Sequence, residues 1–235
     1  MKVGVVVAAG GLGKRLGDQG PKALVPLAGR PLLAYALDDL QASRVTAAVV
    51  VVAPAAALDD FAKLMAGGGW DKVVGVVGGG ATRQASVAAG LAALPPGLAY
   101  VAVHDAARPL AGGDLLDRLL QWLVADPDGV PGVVPGLPVT DTIRRVDAAG
   151  RSLGIVDRDL LRAMQTPQLF LREVLEEAHR RAAAAGIEAT DEAALVELAG
   201  YPVRVVPGSP ENIKVTVPAD LAVAEAILHQ RRRGA

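Results

Sequence analysis

Hydrophobic and polar positions change in blocks along the chain, and these blocks predict alternating strands and helices. Runs of β-branched apolar residues predict strands at 3–7, 45–52, 73–77, 100–103 and 130–134. Amphipathic stretches between the runs predict helices at 31–42, 58–65, 84–94 and 114–124. Strands that alternate with helices form βαβ units, so we predict an α/β fold with a doubly wound, mainly parallel, Rossmann-like sheet. In such sheets, ligands bind beyond the carboxyl ends of the strands.

The alternation lapses after Pro138. Two extended stretches flank a glycine-bearing turn at 148–150, which predicts a β-hairpin. Because the hairpin has little apolar face of its own, it needs a surface to pack on, and a second subunit or its own domain would both serve. We therefore predict a single domain over 1–235, in which about 138–165 form a protruding hairpin arm.

The remaining chain returns to shorter elements. The pattern predicts helices at 171–185 and 191–199, extended stretches at 203–206 and 213–217, and a last helix after Pro218. We expect the closing run, Arg231-Arg232-Arg233, to be a solvated tail. Two histidines in helical contexts, His179 and His229, are expected at the surface.

The first strand leads directly into a loop of glycines and cations. From Ala8 to Gly13 the loop carries few side chains, so its backbone N–H groups can approach an anion closely. Three cations add full positive charge at Lys14, Arg15 and Lys22. The dinucleotide-binding pattern G-x-G-x-x-G fails at Leu16, and the P-loop pattern fails at positions 8 and 15. We expect a polyanion, most simply a nucleoside triphosphate, although such loops also serve as plain connectors.

Composition narrows the classes of partner. The formal net charge is −1, which gives no general attraction to nucleic acid or anionic membranes, and we expect neither as a partner. No stretch has the apolar length of a membrane span. The chain has no cysteine, which excludes disulfides, thiolate catalysis and cysteine-ligated metals. That absence is compatible with a cytoplasmic location, which we predict.

Charged side chains after later predicted strands extend the candidate site. Asp105 follows the strand at 100–103, where a carboxylate facing a phosphate loop could hold Mg²⁺; a helix cap or a structural salt bridge would also explain it. Lys214 lies between apolar residues at a predicted strand end, which is unusual for a solvated lysine. His104 is assigned no role.

A general base is not evident, and no Ser-His-Asp arrangement stands out. Nucleotidyl transfer to an acceptor that is already an anionic phosphate needs positioning and charge neutralisation rather than a base. Lysines and arginines suit that task, so we predict Arg15, Lys22 and Lys214 as the catalytic cations.

A second glycine run, 78–80, precedes Thr82-Arg83 and the predicted third helix. Backbone donors at this helix start could hold a base or a sugar, but a helix cap at Thr82 explains the sequence equally well. Thr190 likewise fits a helix N-cap first.

Taken together, the motifs resemble the 2-C-methyl-D-erythritol 4-phosphate cytidylyltransferases of the non-mevalonate isoprenoid pathway. The resemblance covers essentially the whole chain. Its motifs are 9–16 with Pro21-Lys22, Gly79-Gly80 with Arg83 and Ser86-Val87, 104–109, Asp141-Thr142, 156–158, 166–168, 190–193 and 212–216. The glycine loop is shared by many nucleotidyltransferases, whereas the later blocks are more specific. Two departures are minor: Gly10 replaces a second alanine, and Glu211 replaces an aspartate found in many members.

The resemblance implies a fold of the nucleotide-diphospho-sugar transferase type and a reaction in which CMP passes from CTP to the acceptor phosphate, with Mg²⁺ or another divalent cation bound near Asp105. Implied nucleotide-binding residues are Ala9, Gly10, Gly11, Gly13, Arg15, Lys22, Gly79, Gly80, Arg83, Ser86, Asp105 and Ala106. Implied acceptor-binding residues are Asp105, Arg108, Thr142, Arg158, Thr166, Thr190 and Lys214. It also implies a homodimer through the hairpin arm, in which Thr142 and Arg158 reach the neighbour's acceptor site.

Two other functions fit the residues less well. One is a cytidylyltransferase for another polyol phosphate, such as ribitol 5-phosphate. The other is a nucleotide-binding regulatory module without turnover, which would not need to keep Arg15, Lys22, Asp105 and Lys214 together.

Overall fold

The computed structural model describes residues 1–13, 16 and 20–234, so Lys14 and Arg15 lie outside the described residues. The strands are β1 (Val3–Ala8), β2 (Pro26–Leu27), β3 (Arg30–Pro31), β4 (Thr46–Ala53), β5 (Val73–Gly78), β6 (Tyr100–Asp105), β7 (Gly132–Pro138), β8 (Ile143–Val146), β9 (Ser152–Val156), β10 (Arg162–Met164), β11 (Gln168–Leu171) and β12 (Arg204–Pro207). The helices are α1 (Leu32–Ala42), α2 (Leu58–Gly68), α3 (Arg83–Ala93), α4 (Leu115–Ala125), α5 (Arg172–Ala185), α6 (Glu192–Leu198) and α7 (Pro218–Gly234).

An eight-stranded sheet forms the centre of the described chain. Its order is β10-β7-β11-β6-β1-β4-β5, and β12 pairs with β7. The pairs β1–β4, β1–β6, β4–β5 and β7–β12 are parallel. By contrast, β11 runs antiparallel to β6 and β7, and β10 runs antiparallel to β7. The prediction of a doubly wound, mainly parallel sheet is confirmed.

Helices cover both faces of this sheet, which explains the unbroken apolar sequence of β1. Val5 and Val7 pack in one buried apolar cluster with helices α1, α2 and α4. Val6 points the other way, into a second cluster with α3, α5 and α6. A central strand buried on both faces needs apolar side chains at every position. β1 therefore ends at the middle of the sheet's carboxyl edge and delivers the glycine loop there.

The stretch 138–165 divides between two structures. β8 and β9 pair only with each other among the described strands, in an antiparallel hairpin. Large apolar side chains on it are exposed, with Leu153 at 60% and Ile155 at 65%. β10, which the sequence includes in the arm, instead belongs to the main sheet beside β7. The role of the hairpin as a dimerisation arm stays a prediction.

Several local predictions are wrong. Residues 213–217 form no strand, because their backbone pairs with no described strand. One backbone hydrogen bond, from Val215 N to Ala107 O (2.8 Å), joins them to the loop after β6. Arg231 lies in helix α7 with partners of its own rather than in a solvated tail. His179 is buried, at 6% exposure, because α5 turns it inward. In the described part of the chain, no helix is long and apolar enough to cross a membrane.

Candidate nucleotide-binding and catalytic site

An open cleft of about 820 Å³ lies at the carboxyl ends of β1, β4, β5 and β6. This is the edge at which a parallel α/β sheet binds ligands. Predicted nucleotide-binding residues among its lining are Ala9, Gly10, Gly11, Gly13, Lys22, Gly79, Gly80, Arg83, Ser86, Asp105 and Ala106, together with Lys214. Residues from both ends of the chain, such as Ala9 and Lys214, therefore meet at one site.

The first glycine loop forms one wall of the cleft. Ala9 N donates to Val52 O (2.8 Å), and Lys22 N donates to Gly11 O (2.9 Å), so the loop folds back on itself and places Lys22 beside it. Gly13 has a φ of +65°, a conformation that favours glycine. A Cβ on Gly10 would meet no atom within 4 Å, so this position opens directly into the cleft.

The second glycine loop forms the opposite wall. A Cβ on Gly79 would lie 2.7 Å from Ser86 Oγ, so the loop can approach α3 this closely only with glycine there. Thr82 caps α3, accepting a hydrogen bond from Ala85 N (3.1 Å), which confirms the capping interpretation. Ser86 Oγ donates to Thr82 O (2.8 Å), which fixes the hydroxyl at the cleft wall.

A row of alternating charges begins at the floor of the cleft and ends at a buried carboxylate, Glu192. Lys214 Nζ lies 2.6 Å from Asp105 Oδ2, and Arg83 reaches Asp105 Oδ1 at 3.2 Å. The same guanidinium makes two hydrogen bonds to Glu192, at 2.8 and 2.9 Å, and Glu192 is fully buried. Asp105 is thus held by a salt bridge on each oxygen, as one alternative interpretation predicts, and it caps no helix.

These cations keep Asp105 ionised. Burial would raise the pKa of the Asp105 carboxyl, but the charges of Arg83 and Lys214 and the hydrogen bond from Lys214 outweigh it and lower the pKa to about 2. Burial likewise opposes the charged form of Arg83, yet the carboxylates of Glu192 and Asp105 raise the pKa of Arg83 above its usual range. Asp105 and Arg83 therefore stay charged at neutral pH, whereas burial raises the pKa of Glu192 above its usual value.

A buried network beneath Asp105 fixes its backbone. Thr166 Oγ1 accepts from Asp105 N (3.0 Å) and lies 3.1 Å from His104 Nδ1, while His104 Nε2 lies 3.1 Å from Arg108 O. A neutral imidazole that donates from Nε2 and accepts at Nδ1 satisfies all of these contacts. Burial lowers the pKa of His104 to about 4, in keeping with this neutral form. His104 therefore has a structural partner on each ring nitrogen.

Arg108 ties this network to the segment that carries Lys214. Its guanidinium donates to Asn212 O (2.8 Å) and Met164 O (3.0 Å), and Asn212 Nδ2 donates to Thr166 O (2.8 Å). Arg108 and Thr166 are buried, at 9% and 5% exposure, and do not line the cleft. Their contact with an acceptor stays a prediction.

Three other predicted acceptor residues lie away from the cleft lining. Thr142 and Arg158 are exposed near the base of the β8–β9 hairpin, and Arg158 donates to Thr140 O. Thr190 is exposed beside α6, but the N-cap of that helix is Asp191, which accepts from Ala194 N (3.0 Å). The capping role expected of Thr190 is therefore wrong.

Sequence reasoning missed the part played by Glu192. It belongs to the quoted block 190–193, but an acidic residue in the first turn of a helix is ordinarily a solvated one. The available signal was its place on the apolar face of α6, since Ala193, Leu195 and Val196 around it are all buried. A second omission is the apolar Pro54-Ala55 pair, which follows β4 and lines the cleft.

The predicted divalent metal can be tested against the residues present. Among the described residues, no group of three or more His, Cys, Asp or Glu side chains could hold an ion. Asp105 is the one acidic side chain in the described lining of the cleft. Mg²⁺ in nucleotide sites commonly uses one or two carboxylates with phosphate oxygens and water. The residues therefore fit an ion carried in by phosphates, and they do not form a cage for a free one.

The sheet, the glycine loop and the lysines at its carboxyl edge define a nucleotidyltransferase. The family model described as 2-C-methyl-D-erythritol 4-phosphate cytidylyltransferase matches residues 3–230. The chain belongs to this family.

Individual relatives agree with that assignment. A protein of Nocardia farcinica with the family's name is 46% identical over 96% of this chain and 94% of its own length. One from Frankia casuarinae is 44% identical over 97% of this chain and 81% of its own. The crystal structure of the Thermus thermophilus cytidylyltransferase superposes with a TM-score of 0.75 at 38% identity and covers 97% of this chain and 98% of its own.

Proposed function

We propose that this chain transfers CMP from CTP to 2-C-methyl-D-erythritol 4-phosphate, releasing pyrophosphate and forming 4-diphosphocytidyl-2-C-methyl-D-erythritol. The observation that carries the proposal is the meeting of Lys22, Lys214 and Asp105 in one cleft beside two glycine loops, in a chain that belongs to this family. The ribitol 5-phosphate alternative is not favoured, because the family and its relatives are named for the methylerythritol acceptor.

In the proposed reaction, an oxygen of the acceptor phosphate attacks the α-phosphorus of CTP in line. A new P–O bond forms as the bond to the bridging oxygen of the β-phosphate breaks, and that electron pair leaves with pyrophosphate. The attacking oxygen is already anionic, so no side chain has to remove a proton. The protein's task is to orient two anions and stabilise the charge that grows at phosphorus.

Each wall of the cleft supports one part of this task. The N–H groups of the first glycine loop would hold the triphosphate together with Arg15, which lies outside the described residues. Lys22 and Lys214 would stabilise the transition state at the α-phosphate, and Asp105 holds Lys214 in place. The second glycine loop and Ser86 would face the base and ribose, where backbone contacts could select a pyrimidine.

We also propose a divalent cation, preferably Mg²⁺, with Asp105 as its protein contact. When bound, it would neutralise negative charge on the triphosphate. On the acceptor side, we propose Arg108, Thr142, Arg158, Thr166 and Thr190 as binding residues. Because Thr142 and Arg158 lie at the exposed hairpin, we propose a homodimer in which they serve the neighbouring site. A cytoplasmic location likewise stays a proposal.

The decisive experiment compares Lys214→Ala with Lys63→Ala, the same change at an exposed site on α2. Pyrophosphate release would be measured with CTP, Mg²⁺ and either methylerythritol phosphate or ribitol 5-phosphate. We expect turnover with the first acceptor and a kcat for Lys214→Ala about 100- to 1,000-fold below that of the parent, because one charge-stabilising donor is lost.

The split between kinetic constants tests the role of the lysine. A transition-state contact lowers kcat far more than it raises KM for CTP, whereas a contact made equally in the ground state raises KM. Loss confined to KM would contradict the assigned role. Turnover with ribitol 5-phosphate alone would overturn the proposed acceptor.

A further inference from the structure

Lys214 lies on a segment without regular secondary structure. Residues 212–216 belong to no helix or strand, yet they carry a cation into the floor of the cleft. Two residues of this segment are hydrogen-bonded to the core: Val215 N donates to Ala107 O (2.8 Å), and Asn212 accepts from Arg108 at its O and donates from Nδ2 to Thr166 O. A catalytic cation must be held within a fraction of an ångström, so contacts on the other side of the segment also matter.

Helix α7 holds the segment at both of its ends. Asp220, in the first turn of α7, accepts hydrogen bonds at Oδ2 from Thr216 N (2.6 Å) and Val217 N (2.9 Å). Arg231, in the last turn, donates from Nε to Glu211 Oε2 (2.7 Å). The helix therefore runs back along the segment, and Lys214 lies near the middle of the clamped stretch.

Arg231 also reaches the loop that follows Asp105. Its second nitrogen donates to Leu110 O at 3.0 Å. One side chain thus connects the two loops whose charged residues, Asp105 and Lys214, form the 2.6 Å pair in the cleft.

The same helix packs on the chain that follows Lys22. Ala224 of α7 shares a buried apolar cluster with Val25 and Leu27 on one side and Val215 on the other. Glu225 accepts a hydrogen bond from Ala28 N (3.2 Å) in the turn after Leu27. The segments bearing the two cleft lysines therefore rest against one helix.

We propose that α7 sets the position of Lys214 in the cleft and that Arg231 is a positioning residue for the transfer reaction. The apolar contacts place the helix, and Arg231 holds Glu211 next to Asn212, so it adds to the contact that Arg108 makes at the amino end of the Lys214 segment. This inference rests on the proposed function. It adds a residue of the C-terminal arginine run to the machinery although that residue touches no substrate.

The test compares Arg231→Gln with Arg232→Gln, which removes the same charge from the next, exposed residue of the helix. We expect Arg231→Gln to lower kcat roughly 5- to 20-fold with KM for CTP changed less than about 2-fold, because small displacements of a catalytic group cost rate rather than binding. Arg232→Gln should match the parent. Arg231→Lys keeps the charge but has a single side-chain nitrogen, so its kcat should lie between those of Arg231→Gln and the parent.

Amide hydrogen exchange gives a second readout on the same variants. We expect Val215 and Thr216 to exchange faster in Arg231→Gln and unchanged in Arg232→Gln, at equal thermal stability. Glu211→Gln should reproduce the Arg231→Gln effect, and the double variant should be no worse than either single one. Equal kcat and equal exchange in Arg231→Gln and Arg232→Gln would overturn the inference. An inactive parent chain would instead contradict the proposed function. The hydrogen-exchange result would then decide by itself whether Arg231 holds the Lys214 segment.

Discussion

At the scale of single residues, the site depends on a carboxylate that does not reach the cleft. Glu192 is fully buried, and both of its oxygens accept hydrogen bonds from Arg83, which in turn contacts Asp105. Glu192→Gln would leave the Arg83 guanidinium partly buried with half of its compensating charge removed. We expect the free energy of unfolding to fall by about 3 kcal/mol, the lower end of the cost of breaking a buried ion pair. Urea denaturation at pH 7 measures it.

The matched control is Glu197→Gln on the exposed face of the same helix, α6. It makes the same chemical change and should alter the free energy of unfolding by less than about 0.5 kcal/mol. If the two variants proved equally stable, the buried pair of Arg83 and Glu192 would make no net contribution to the free energy of unfolding.

The same residues show what the sequence could and could not predict about the site. Gly10 and Gly79 follow strands of a parallel sheet and Asp105 ends one, so they were predictable because all such ends meet at one edge. Lys214 was predicted from a strand end that the structure does not form, and it enters the cleft on an irregular segment. The pairing of Arg83 with Glu192 was not predictable, because local sequence does not tell which acidic residue at the start of a helix points inward. That choice is made by the packing of α6 on the sheet.

At the scale of elements, the β8–β9 hairpin exposes large apolar side chains to solvent. An isolated two-stranded hairpin is only marginally stable in water, so this one needs a surface to pack on. Leu153 and Ile155 are 60% and 65% exposed. If the hairpin is a dimerisation arm, the double substitution Leu153→Ser and Ile155→Ser should convert a dimer to a monomer at micromolar concentration, as measured by light scattering. Thermal unfolding of the monomer should change little, because these side chains have no intrachain core to leave.

The control for the hairpin is Val74→Ser, at a 52% exposed valine on the edge strand β5. It should leave the mass unchanged. A parent chain that is monomeric at the same concentration would contradict the proposed arm, and so would a double variant that remains dimeric.

Strands and helices were predicted best where the hydrophobic pattern was long and the element lies in the middle of the sheet. The prediction at 45–52 and the observed β4, Thr46–Ala53, differ by one residue at each end. The failure at 213–217 has a physical cause: its alternating Ile213, Val215 and Val217 are typical of a strand, but sheet formation also needs a free partner edge. The sheet gives β7 the partners β10, β11 and β12 instead, and this stretch packs on α7.

At the scale of the whole molecule, burial of a histidine makes global stability depend on pH. His179 is 6% exposed, and burial, with a smaller contribution from the charge of Arg83, lowers its pKa to about 4 from 6.5. The unfolded chain therefore binds a proton below pH 6.5 that the folded chain refuses until about pH 4. The stabilisation is fully present above pH 6.5 and is lost as the pH falls towards 4.

We test this contribution with His179→Leu against His229→Leu, which removes an exposed imidazole from α7. Between pH 7 and pH 4.5, the parent should lose about 2 to 3 kcal/mol more unfolding free energy than His179→Leu, since each pH unit is worth about 1.4 kcal/mol per proton. His229→Leu, which changes an exposed side chain of α7, should follow the parent curve. Comparing each variant's own change in unfolding free energy between the two pH values removes the constant effect of altered packing. The contributions of other titrating groups such as His104 are the same in each protein and cancel from the difference.

Parallel curves for the parent and His179→Leu would contradict this prediction. They would show that His179 takes up its proton without global unfolding, and the helix layer over this face of the sheet would then have to open locally to admit it.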